Sequence, residues 1–168
     1  MVSGPPGRPG APGPAEYACA QAWAALTAAH ARVSGLLAAA LARECGLSVT
    51  EFEILLHADH AAGEPLRQAE LNLAVALTQP ALSRAVSRLA ERGLLARAGT
   101  PEDGRGVLIS VTPRGREVLG RAVPVHAQVI RTALLDRLTK AQELALTGAL
   151  SRIAETVPKV LSHDITSE

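Results

Sequence analysis

The chain has 168 residues, 48% hydrophobic and 20% charged, the composition of a soluble globular protein of one domain or one domain with extensions. A formal net charge of +1 gives no overall field toward nucleic acid or membrane. Aromatics are 2%, namely Tyr17, Trp23 and Phe52, which argues against modules that stack single-stranded bases on several rings. Cys19 and Cys45 are too few for a disulfide framework or a four-thiolate zinc site, and reduced thiols are the simpler reading. No unbroken apolar run reaches the roughly 18 residues of a spanning helix. The start Met1-Val2-Ser3-Gly4 has no basic region leading into an apolar one. These features predict a cytoplasmic protein without a membrane partner.

Nine of the first fourteen residues are Gly or Pro, which predicts an arm without regular structure over residues 1–15. From Glu16 to about Cys45, Pro is absent and Cys19, Trp23, Leu26, His30, Val33, Leu37 and Ala40 step by fours and threes. That stripe predicts one long helix, of about 42 Å at ~1.5 Å per residue. It is too long for one small core to cover, so part of its stripe is expected to meet a partner.

Gly46 stops that helix, and Ser48 or Thr50 caps a second that carries Phe52, Leu55 and Leu56. A third short helix is predicted over 67–73, with Leu66, Ala69, Leu71 and Leu73 as its apolar set. Thr78 caps a fourth, 79–92, with Pro80 in the first turn, where a missing N–H costs nothing. Residues 94–98 and 107–111 then read as two strands, separated by a Gly-rich hairpin tip. Thr112-Pro113 opens a fifth helix with the stripe Leu119, Val123, His126, Ile130 and Ala133. Thr139 caps a sixth, carrying Leu146, Leu150, Ile153 and Val157.

The fold class is therefore mainly α with a small β-hairpin wing: a winged helix-turn-helix with long N- and C-terminal helices, which the resemblance given below implies are dimerisation helices. The expected organisation is the arm at 1–15, dimerisation helix 1 at 16–46, the winged helix-turn-helix lobe at 47–112, dimerisation helices 5 and 6 at 113–161, and a frayed tail at 162–168.

The fourth helix has two faces. Leu82, Ala85, Val86 and Leu89 would bury, whereas Gln79, Ser83, Arg84, Ser87 and Arg88 form a face with no acid. Such side chains suit base edges, Gln pairing with adenine and Arg with guanine. Thr78 and the helix start would sit near a phosphate. Arg105, between Gly104 and Gly106, can project into a minor groove. Residues 67–122 hold nine Arg and five acids, a local net charge of +4 in a chain that elsewhere sums to −3.

The run Leu82-Ser83-Arg84-Ala85-Val86-Ser87-Arg88-Leu89-Ala90-Glu91-Arg92-Gly93-Leu94-Leu95, followed by the wing Pro101-Glu102-Asp103-Gly104-Arg105-Gly106, resembles the MarR-type (multiple antibiotic resistance) transcriptional regulators. Asp103 and Arg105 match the family's wing spacing. The resemblance implies a homodimer on a pseudopalindromic double-stranded DNA operator, acting as a repressor released by a small lipophilic or phenolic effector. DNA contacts would be Thr78, Gln79, Pro80, Ser83, Arg84, Ser87, Arg88, Asp103, Gly104 and Arg105. The dimer interface would use Leu26, Val33, Val123, Ile130, Leu150 and Ile153. Effector-pocket candidates are Trp23, His30, Phe52, His57 and His126. Two departures stand out. Ala76 occupies a position where the family usually has Gly, and Ser87 one where an Asp often braces the wing Arg. Arg105 is then either braced by Asp103 alone or looser before DNA binds.

Two alternatives share this fold: a thiol-based redox sensor using Cys19, and a winged-helix module that binds protein instead of DNA. His57 and His60, with Glu53, share a helix face but lack a further ligand with matching spacing, so no metal site is expected. No phosphate-binding Gly loop, nucleophile elbow or paired carboxylates point to an enzyme, and no cofactor is implied.

Overall fold

The computed structural model describes residues 13–59, 64–75, 77–99 and 106–156. The expectations for residues 1–12, for the tail from 157 onward, and for His60, Ala76, Asp103, Gly104 and Arg105 lie outside the described residues. The elements in chain order are α1 (Pro14–Cys45), α2 (Val49–Asp59), β1 (Leu66–Arg67), α3 (Gln68–Ala74), α4 (Gln79–Glu91), β2 (Leu95–Gly99), β3 (Val107–Val111), α5 (Pro113–Ala133), a 3-10 turn (Leu135–Arg137) and α6 (Lys140–Thr156).

The first helix starts at Pro14, two residues before its expected start at residue 16. Pro14 occupies its first position, and the Gly13 N–H donates to Glu16 Oε2 at 2.6 Å. It ends at Gly46, whose φ of +64° is the left-handed cap that glycine adopts without strain. Its 32 residues reach about 48 Å. By length and composition α1 could cross a bilayer, unlike the expectation drawn from unbroken apolar runs, because isolated polar residues interrupt a helix that is otherwise largely alanine. The buried residues of α1 are Leu37, Ala40 and Leu41, all packed into the lobe.

Ser48 opens α2 with a reciprocal cap. Its Oγ accepts from Glu51 N at 3.2 Å, and its N–H donates to Glu51 Oε2 at 2.9 Å. The core joins Leu37 and Leu41 of α1 to Phe52, Ile54 and Leu55 of α2, Leu71 of α3, the buried face of α4 and Ile109 of β3. At the start of α5, Val118, Leu119 and Ala122 close it.

A third strand was not expected. Leu66 and Arg67 pair antiparallel with Ile109 and Leu108, giving the sheet order β1-β3-β2. The hairpin itself registers Leu95 with Val111 and Gly99 with Val107. Pro124 lies inside a helix that runs on to Ala133.

Within the subunit, α6 has no buried residue, and the N-terminal part of α1 is likewise bare. Trp23 is 68% exposed, and Leu26, Val123, Leu150 and Ile153 are also exposed large hydrophobics. Val33 and Ile130 are half-buried.

Candidate nucleic-acid interface

The chain folds α4 into position by burying Leu82, Ala85, Val86 and Leu89, the four residues expected on its inner face. Thr78 precedes it in extended conformation and makes no side-chain capping bond. Pro80 sits in the first turn, where its ring removes one of the donors a helix end leaves unsatisfied. The outer face carries Thr78, Gln79, Pro80 and Arg84, all exposed, with Ser83 and Ser87 half-buried beside them.

Three arginines near this face have distinct surroundings. Arg84 is exposed and makes no ion pair among the described residues. Arg88 Nε lies 3.9 Å from Glu51 Oε1, so one edge of its guanidinium is drawn toward α2. Arg92 is a structural clamp: it donates to Gly46 O at 2.7 Å and pairs with Glu51 Oε2 at 3.2 Å, joining the end of α4 to the α1–α2 turn. Sequence reasoning passed over Glu51, the one buried charged residue among those described.

Ser87 has a partner on the wing strand. Its Oγ accepts a hydrogen bond from Arg97 Nη1 at 3.2 Å, linking β2 to the middle of α4. Where an acid would draw a charged partner, a hydroxyl here takes one neutral-acceptor bond from the wing strand. The wing tip, with Asp103, Gly104 and Arg105, lies outside the described residues.

A polar cleft that was not anticipated opens between α3, the first turn of α4 and the root of the wing. Arg67, Gln68, Asn72, Gln79, Gly106 and Val107 line it. Gln68 Oε1 and Asn72 Oδ1 are buried there without a hydrogen-bond partner. Gln and Asn on a short helix carry no pattern that would have flagged them.

Of the five effector-pocket candidates, Phe52 and His126 are brought together. Their rings stack with centroids 4.8 Å apart and planes 20° from parallel, between α2 and α5. Trp23, His30 and His57 are exposed in the subunit, and His30 Nε2 lies 3.3 Å from Ser34 Oγ. Cys19 is exposed on α1. Cys45 is half-buried, and burial pushes its thiol above the ordinary value, partly opposed by Arg121 and reinforced by Glu44. Among the described residues no group of three His, Cys, Asp or Glu side chains is placed to hold a metal ion. Asp59 is instead paired with Arg116 at 3.3 Å.

A family model described as MarR family matches residues 45–106, from the end of α1 to the root of β3. Among solved structures, the fold matches Sco3205 from Streptomyces coelicolor, a MarR family transcriptional regulator in complex with DNA. The two are 30% identical with a TM-score of 0.78, over 88% of this chain and 91% of that one. The chain belongs to the MarR family. AbsC, a MarR family transcriptional regulator from the same organism, is similar in fold at 24% identity and a TM-score of 0.77, covering 88% of this chain and 97% of that one. Bordetella bronchiseptica BpsR, whose DNA binding is regulated by 6-hydroxynicotinic acid, is 25% identical with a TM-score of 0.70, over 80% of this chain and 98% of that one. No curated protein matches this chain. This MarR-family chain is a DNA-binding transcriptional regulator and not an enzyme, and α3, α4 and the hairpin are its winged helix-turn-helix.

Proposed function

We propose that the protein is a cytoplasmic homodimer that binds a pseudopalindromic double-stranded operator sequence-specifically and acts as a repressor released by a small lipophilic or phenolic molecule. The observation that carries the DNA reading is the outer face of α4, where Gln79, Ser83 and Arg84 stand clear of the core with no acid among them. A helix with such a face fits a major groove about 12 Å wide, and its donors and acceptors match base edges. In this reading Thr78 and Pro80 meet a phosphate at the helix start, and Ser87, Arg88, Asp103, Gly104 and Arg105 are further DNA contacts.

The bare stripes support the dimer. Among the described residues, Leu26, Val123, Leu150 and Ile153 are exposed and Val33 and Ile130 only half-buried. A second copy supplies one by a twofold operation that also sets two α4 helices side by side. Release by a ligand is supported by the regulated DNA binding of BpsR and by the stacked Phe52 and His126, an aromatic seam between the lobe and α5.

Selection of bound duplexes from a random pool, using the full chain, tests the reading. The expected product is an inverted repeat with half-site centres about one turn, ~34 Å, apart. Enrichment of a single unrepeated half-site, or no enrichment, refutes it.

A further inference from the structure

We propose that Glu51 of α2 is a positioning residue for base recognition: it holds the Nε edge of Arg88, so that the terminal edge of that guanidinium is presented to a base pair. The proposal rests on the DNA-binding reading above and adds a buried residue that itself touches no DNA.

The cations of α4 form one row. Arg84, Arg88 and Arg92 follow at intervals of four, which stacks them along one side of the helix, where like charges repel. Arg84 is exposed and makes no ion pair among the described residues. Arg92 is committed to Gly46 O and Glu51 Oε2. Arg88 stands between them, and Glu51 is its ion-pair partner among the described residues.

The two oxygens of Glu51 have different partners. Oε2 accepts the Ser48 N–H at 2.9 Å and lies 3.2 Å from Arg92 Nη1. Oε1 faces Arg88 Nε at 3.9 Å, a distance of charge attraction and not of a hydrogen bond. The Glu51 side chain is 10% exposed and that of Arg88 56%. The acid therefore pulls from a partly dry site, where attraction is stronger than in water, while much of the guanidinium stays in solvent. A guanidinium carries five N–H donors in a rigid fork. With Nε drawn to Glu51, the two terminal nitrogens form the outward edge. A bidentate contact to guanine O6 and N7 takes two such parallel donors. Orienting a long side chain beforehand lowers the ordering cost of that contact. The charge of Glu51 is met by two arginines, so the acid orients Arg88 without placing a bare carboxylate opposite the phosphates.

The test uses the full chain and duplexes selected from a random pool. Selection with Arg88→Ala identifies the base pair that Arg88 reads, as the position whose preference is lost. Affinity is then measured for the selected duplex, for one altered at that position in one half-site, and for an unrelated duplex. Glu51→Gln, with folding checked by circular dichroism, is expected to shrink the preference at that position by about fivefold, part of what a bidentate pair supplies. Affinity for the unrelated duplex should rise about twofold, because each subunit loses a negative charge. In an Arg88→Ala background Glu51→Gln should leave the preference where it is. Glu51→Asp draws the carboxylate back by one methylene and should relax the preference too, a second reading if Glu51→Gln folds poorly. Arg92→Gln breaks the clamp to Gly46 while Glu51 still faces Arg88; it should lower the urea midpoint and keep the preference. The proposal is overturned if Arg88→Ala loses no position, or if Glu51→Gln keeps the parental preference. It is overturned equally if Glu51→Gln weakens all three duplexes alike, or if Arg92→Gln relaxes the preference as much, since the acid is then only part of the clamp. If the parent binds no duplex, the DNA reading falls first and this one with it.

Discussion

Substituting Gly115 tests the joint between the DNA-binding lobe and the helices beyond it. Gly115 is buried in the first turn of α5, and its N–H donates to Thr112 Oγ1 at 2.9 Å. The Thr112 hydroxyl points back to Gly93 O at 2.7 Å and Leu94 O at 3.2 Å, so the helix start is fastened to the beginning of β2. A Cβ at Gly115 would stand 2.1 Å from Leu94 O and 2.8 Å from Val111 Cγ1. Non-bonded carbon contacts settle near ~3.5–4.0 Å, so the backbone carbonyl would have to retreat by about 1 Å or more. Helix propensity alone favours Ala over Gly by about 1 kcal/mol. Overpacking against an immobile neighbour costs about 1–3 kcal/mol or more, and here that neighbour is main chain. A main-chain neighbour puts the cost at the upper end of that range, and Gly115→Ala should lower stability by a net of about 2 kcal/mol. Gly120, on the same helix, has nothing within 4 Å of such a Cβ. Gly120→Ala should raise stability by about 0.5–1 kcal/mol. Urea unfolding of parent and both variants at one protein concentration reads the two signs, concentration being fixed because dimerisation shifts apparent stability. A Gly115→Ala protein as stable as Gly120→Ala would refute the close approach of α5 to β2.

Three further expectations follow from particular contacts. Glu51→Gln keeps an acceptor for the Ser48 N–H but loses the charge facing Arg92 at 3.2 Å and Arg88 at 3.9 Å. Because Arg92 is partly solvated, the cost should be about 1–2 kcal/mol in urea unfolding, and no change would show the pair to be idle. Ile153→Asp changes a side chain exposed within the subunit. It should leave helical content intact while light scattering shows monomers that bind operator weakly; a dimer of parental affinity would place the interface elsewhere. The Cys45 thiol, raised by burial, holds its proton more tightly in the folded than in the unfolded chain. Its stabilising contribution is complete below the ordinary thiol value and is lost as pH climbs through the raised one. Alkylation of Cys45 followed by mass spectrometry should be slower in the folded protein than in urea near the ordinary thiol pKa, with the gap closing at higher pH. Equal rates there would contradict the shift.

Element order was legible because local chemistry and tertiary packing agree. Thr112 and Ser48 cap the helices they precede, Pro80 and Pro113 occupy first turns, and the apolar face of α4 is the face that buries. The misses depend on distant partners. A strand of two residues has no period, and β1 exists because β3 offers Ile109 and Leu108 forty residues later. Leu66 therefore read as part of α3. Glu51 drew no role from the sequence, since nothing near it there announces Arg92. Nor does anything near Ser87 in sequence announce that Arg97 on β2 reaches its hydroxyl. Of the proposed pocket, only Phe52 and His126 meet within one subunit, because Trp23 and His30 belong to a stretch of α1 that extends past the lobe.

That extension ties assembly to recognition. Both α1 and α5 are anchored in the lobe at one end, α1 by Leu37, Ala40 and Leu41, and α5 by Val118, Leu119 and Ala122. Beyond those anchors they carry apolar side chains that the subunit does not bury. A helix of 21 residues such as α5 spans about 31 Å, so a small rotation at its root becomes several ångströms at its far end. In a dimer closed by the bare stripes, the same rotation changes the distance between the paired α4 helices. The operator proposed above would fix that distance at about one turn of duplex, ~34 Å, and a mismatch could not be absorbed by side chains alone. The Phe52–His126 stack lies between α2 and α5 just after the anchor residues, where the α5 rod leaves the core. A planar molecule inserted there must separate α5 from α2, and interfaces packed this closely respond by switching arrangement instead of stretching. In the ligand-released dimer proposed above, operator affinity and ligand affinity at that seam would be opposed through one rigid element, and by linkage each would weaken the other by the same factor.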